Sequence, residues 1–126
     1  MRLLFLAAAG GALGAGSRHL INIGCARLLG SGFPWGTLVV NVVGSFAMAA
    51  LIEAFALKFG GSLELRTFLA TGVLGGFTTF SAYSLDFATL LARKEHVLAG
   101  LYLGGSVLLA ILAFYAGLAV VRALLT

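Results

Sequence analysis

The sequence predicts an all-α membrane protein, a single domain over residues 1–126 with four transmembrane helices, the third broken near mid-membrane. Three observations carry that expectation. Hydrophobic residues make up 61% of the chain and charged residues 10%, and the mean hydropathy is +1.11, values outside the range of soluble domains. Four apolar segments, about 3–23, 35–57, 67–91 and 97–125, each reach the roughly 20 residues that a helix needs to cross a bilayer core. Within the third, the run from Gly72 to Ser84 is interrupted by three glycines and by Thr78, Thr79, Ser81 and Ser84.

The first segment begins behind Arg2, and its start resembles a signal peptide. Arg18 interrupts that pattern and three further spans need no separate export signal, so it is read as a retained helix. An arginine this deep is costly in hydrocarbon. Arg18 therefore either lines a wet anion vestibule or snorkels to the helix end. Cys25, the single cysteine, excludes an internal disulfide and is read as a packing residue.

In the second segment Thr37, Asn41 and Ser45 recur at i, i+4 and i+8 and share a face, with Gly44 beside them. An asparagine at mid-span is either interhelical glue or a pathway ligand. The third segment carries Phe77, Phe80 and Tyr83 at helical spacing around the expected break. Irregular backbone survives at membrane depth only where protein or a water-filled cavity surrounds it, and its free carbonyls and helix ends suit ion binding. In the fourth segment Tyr102, Ser106, Ala110 and Phe114 share a face. Glu53 and Asp86 fall toward helix ends and are assigned to pairing with basic loop residues.

Small-xxx-small pairs at Gly10/Gly14, Gly72/Gly76 and Gly100/Gly104 suit close helix contact and favour assembly. The net charge is +4, but the Lys and Arg residues are scattered without a basic face, which argues against a nucleic-acid partner. Four crossings put Arg2, Lys58, Arg66 and Arg122 on one side and Arg27, Arg93 and Lys94 on the other. That near balance gives almost no orienting bias. It predicts insertion both ways and an antiparallel, dual-topology homodimer; the competing reading is one orientation fixed by protein context.

Three stretches together carry a family resemblance: Gly11–Ala15 followed by Arg18, then Gly36–Phe46 with Asn41 and Gly44, then Gly75–Ser81. In that order, and over essentially the whole length, the chain resembles the Fluc (CrcB) family of bacterial fluoride channels. The resemblance implies passive, selective fluoride export across the bacterial inner membrane by a multi-pass antiparallel dimer. It implies two pores and a structural sodium ion at the dimer centre. On this chain the sodium carbonyls fall on Gly75 and Thr78, the pore asparagine on Asn41 and the vestibule arginine on Arg18. The aromatic pair falls on Phe80 and Tyr83, where Tyr83 departs from the commoner Phe. The polar track falls on Tyr102 and Ser106, and Ala110 stands where relatives often carry a further hydroxyl. Thr37 joins the expected fluoride pathway.

Two other readings remain. A small multidrug-resistance transporter has the same size and helix number but needs an acidic residue in the first helix, and none lies between Leu3 and Ile23. A non-transporting scaffold subunit explains the glycines but not Asn41 with Phe80 and Arg18. No nucleophile–base or acid pair suggests an enzyme.

Overall fold

The computed structural model describes all residues from Met1 to Thr126 and is entirely helical. Helix α1 (Arg2–Leu29) ends at Gly30, whose φ of 82° suits glycine and whose N–H bonds back to Ala26. Pro34 then precedes α2 (Trp35–Ala54), which widens into π-helical turns over Phe55–Phe59. Gly60 and Gly61, both at positive φ, reverse the chain. Arg66 ties this turn down: its guanidinium donates to the Gly60 and Gly61 carbonyls and lies over the Phe55 ring at 5.1 Å.

The third segment is assembled from pieces. The Ser62 hydroxyl caps the short helix α3 (Leu63–Arg66) by accepting from the Leu65 N–H. A π-helical stretch, Thr67–Leu74, runs into α4 (Gly75–Phe77). Thr78 and Thr79 are extended, with ψ of 157° and 125°, and α5 (Phe80–Ala92) restarts beyond them. Helix α6 (His96–Leu125) completes the chain.

Two packed pairs organise these elements: α1 runs along Thr67–Leu74 and α4, and α2 runs along α6. Helix α1 also touches α2, and α5 leans on α6. The contacts of the first pair are backbone on backbone. A Cβ on Gly10 would lie 2.8 Å from the Gly72 Cα, and one on Gly76 would lie 2.7 Å from the Gly11 carbonyl oxygen. Gly14 sits against Val73 and Phe77 in the same way. By contrast, Gly100 and Gly104 face open space, so the third small-residue pair makes no contact within the chain.

The second and fourth expected spans correspond to Trp35–Phe59 and His96–Leu125, both long and apolar enough to cross a membrane. The first is long enough at 28 residues, but glycines, Arg18 and His19 dilute its apolar character. The third has no continuous helix, because Thr78 and Thr79 divide it. Only 15 of 126 residues are buried, and leucines, valines and isoleucines along α6 are exposed, a surface suited to lipid or a second copy.

Candidate functional site

The break occurs at the threonines, not at the glycines. Gly75 and Gly76 remain helical, whereas β-branched Thr78 and Thr79 take the extended conformation that such residues favour. The Thr79 hydroxyl accepts from the Ala82 N–H at 3.1 Å, capping α5 and restarting the helix.

Asn41 holds the interruption from the facing helix. Its Nδ2 donates to the Thr79 carbonyl at 3.0 Å, and its Oδ1 accepts from the Thr79 N–H at 2.8 Å. One side-chain amide therefore satisfies both backbone groups of a residue that no helix serves. Arg18, half-buried, donates through Nε to the Gly76 carbonyl at 3.2 Å. Thr78 turns its N–H and its hydroxyl onto the Leu74 carbonyl, both at 3.1 Å. These bonds serve the carbonyls of Leu74, Gly76 and Thr79, and none goes to those of Gly75 or Thr78.

Beside the break lies an inner cavity of about 330 Å³. Asn41, Ser45, Thr78, Thr79, Phe80, Tyr83, Ser106, Ala110 and Phe114 line it. The Ser106 hydroxyl is buried without a hydrogen-bond partner. It lies in the wall of this cavity. Phe80 and Tyr83 meet edge-on, with ring centroids 5.5 Å apart; Phe80 is exposed and Tyr83 buried.

An outer cavity of about 290 Å³ opens toward the α1–α2 and α5–α6 connections. Thr37, Asn22, Cys25, Asp86, Thr89 and Arg93 contribute to its wall. Thr37 and Asn41, one turn apart on α2, thus line different cavities. Tyr102 is buried between them, its ring 5.1 Å from that of Tyr83 and 5.4 Å from that of Phe33.

Asp86 corrects an expectation from sequence. It accepts a hydrogen bond from the Tyr102 hydroxyl at 3.1 Å and pairs with no basic loop residue. Glu53 does pair with a cation, Arg122 on α6, at 3.2 Å. The sequence does not single out Asn22, and it marks Thr79 as an interruption without indicating its partner. Asn22 packs on Gly36, and Thr79 is the residue that Asn41 serves. The Thr-Thr pair within the glycine-rich run was the available signal for the second.

The fold and this site define a small helical membrane protein in which an interrupted segment borders a largely apolar cavity carrying a few amide and hydroxyl side chains. A model of the family described as CrcB-like protein, Camphor Resistance (CrcB), matches residues 5–118. Relatives named fluoride-specific ion channel FluC match nearly end to end. The one from Mesorhizobium japonicum is 53% identical over 121 residues, covering 96% of this chain and 97% of its own length. That from Chelativorans sp. is 54% identical over 122 residues, covering 97% and 98%, and that from Rhizobium johnstonii 54% over 119 residues, covering 94% and 95%. The chain belongs to the CrcB family. These relatives are named as channels, not as enzymes.

Proposed function

We propose that the protein is a fluoride-selective passive channel that lowers cytoplasmic fluoride from the bacterial inner membrane. The observation that carries this reading is the near end-to-end similarity to relatives bearing that name. Membership of this family removes the ground for the multidrug-transporter reading.

The geometry supports it chemically. Fluoride is compact and strongly hydrated, so a selective route must replace its water with several placed donors. The unpartnered Ser106 hydroxyl supplies one such donor beside the cavity. The edges of Phe80 and Tyr83 add the electropositive rim of the ring quadrupole. Thr37, Asn41 and Tyr102 complete the proposed pathway, and Arg18 biases the approach toward anions. Arg18 and Asn41 also brace the break, so they act on the route partly by holding its backbone.

The functional unit is an antiparallel dimer carrying two pores. Thr71, Gly75, Phe80, Ser81 and Ser84 form an exposed, partly polar face along the third segment, which a bilayer core disfavours and a second copy would cover. The carbonyls of Gly75 and Thr78 suit a hard cation, and those of both copies would hold a sodium ion that adds fixed positive charge at the centre. Replacing sodium by N-methyl-D-glucamine is expected to lower the thermal midpoint of the purified dimer. An unchanged midpoint at every sodium concentration contradicts the sodium assignment.

Ion efflux from liposomes tests the function itself. With a potassium ionophore present, fluoride is expected to leave rapidly while chloride is retained, without any proton gradient. Retained fluoride in vesicles containing verified dimer overturns the reading.

A further inference from the structure

Five hydroxyl-bearing side chains line the inner cavity: Ser45, Thr78, Thr79, Tyr83 and Ser106. Three of them are engaged within the chain. The Thr78 hydroxyl donates to the Leu74 carbonyl, that of Thr79 caps α5 and meets Ser81, and that of Tyr83 donates to the Leu103 carbonyl. Ser106 has no partner. Neither has Ser45, although a helical hydroxyl has one close by: Ser17, Ser84 and Thr89 each donate to the carbonyl one turn earlier. The half-buried Ser45 makes no such bond to the Asn41 carbonyl and stands in the cavity wall instead.

The two uncommitted hydroxyls belong to neighbouring helices and different depths. Helices α2 and α6 run parallel, since Ala49 meets Gly117 and, about one turn on, Glu53 meets Arg122. One turn before Ala49, Ser45 falls level with the α6 stretch between Ala110 and Phe114, whose side chains offer the cavity no donor. Ser106 lies one turn before Ala110. No acidic or basic side chain lines this cavity, so its wall neither repels an anion by charge nor holds one by charge.

We infer that Ser45 is a fluoride donor in its own right, forming a further subsite at the far end of the inner cavity, one step beyond Ser106. This assignment deepens the channel reading and rests on it. An anion in a largely apolar cavity is costly unless hydrogen-bonded, so each level of the route needs a donor. At the level of Ala110 and Phe114, Ser45 is the hydroxyl that α2 provides.

The test compares wild type with Ser45→Ala in liposomes, reading fluoride and chloride efflux per assembled dimer together with the thermal midpoint. Because the hydroxyl has no partner within the chain, the midpoint is expected to keep its wild-type value. Fluoride efflux is expected to fall roughly 10-fold or more, the effect of one hydrogen bond to a charged group, with chloride still retained. Ser45→Thr, which keeps a hydroxyl, is expected to restore most of the flux. Ser45→Cys, a weak donor of similar size, carries the same expected loss if Ser45→Ala does not assemble. Wild-type efflux through Ser45→Ala, whatever its midpoint, overturns the inference and leaves the channel reading intact. Efflux as low in an assembled Ser45→Thr as in Ser45→Ala overturns it in favour of a packing role. If the wild type carries no fluoride, the channel reading fails and this assignment fails with it.

Discussion

Helices α2 and α6 meet along a seam of small apolar residues, whereas α1 and α2 meet the third segment through its bare backbone. In the first seam both helices are continuous, Gly117 lies against Ala49 and Ala50, and the side-chain hydrogen bond between them is Arg122 to Glu53 at one end. In the second, Gly10 meets Gly72, Gly11 meets Gly76, and Asn41 and Arg18 reach in to the backbone. A continuous helix satisfies its own peptide groups, so its neighbour need only fill space. An interrupted one hands that task to its neighbours, and their side chains lose freedom to vary. On the proposed channel reading, the backbone that borders the ion route belongs to the segment that looks least regular.

The sharpest way to break this contrast is Asn41→Leu, which strands the Thr79 N–H and carbonyl. Each unpaired group is expected to cost about 1–3 kcal/mol, read as a large fall in thermal midpoint or a loss of assembled protein. A comparable leucine in place of an α2 residue facing α6 is expected to cost less, and equal losses would erase the distinction. Next in size is Gly14→Ala, whose Cβ meets the Val73 backbone and lies 2.7 Å from the Phe77 amide nitrogen. Overpacking of this kind costs about 1–3 kcal/mol. Gly16→Ala, which meets nothing within 4 Å, is expected to be neutral or to gain up to about 1 kcal/mol from helix propensity. The smallest effect belongs to the other seam. Glu53→Gln removes an ion pair whose arginine is largely exposed, and the loss is expected to be about 1 kcal/mol or less and to shrink in high salt. A larger, salt-independent loss would mean that the continuous seam also depends on a polar anchor.

Much of this division was legible in the sequence. The period of Thr37, Asn41 and Ser45 marked one face of α2, and glycine spacing marked the close approach at Gly10, Gly14, Gly72 and Gly76. The position of the break was less legible, because glycines look like interrupters and here serve contact, while the β-branched threonines take the extended backbone. The partner of Asn41 was hidden because Thr79 lies 38 residues away and nothing local points to it. Asp86 misled for the opposite reason. Arg93 and Lys94 are its neighbours along the chain, but helix α5 turns its carboxylate inward to the Tyr102 hydroxyl. Gly100 and Gly104 matched the packing pattern and meet nothing within one chain.

The central claim is that the interrupted seam carries the anion route, and Asn41→Asp tests it most directly. An aspartate can still accept from the Thr79 N–H, so the break keeps one of its two bonds, but it sets a negative charge beside the inner cavity. Fluoride efflux per assembled dimer is expected to fall roughly 100-fold or more, as a like charge a few ångströms from the ion requires. Wild-type flux through an intact Asn41→Asp dimer would contradict the account and move the route elsewhere.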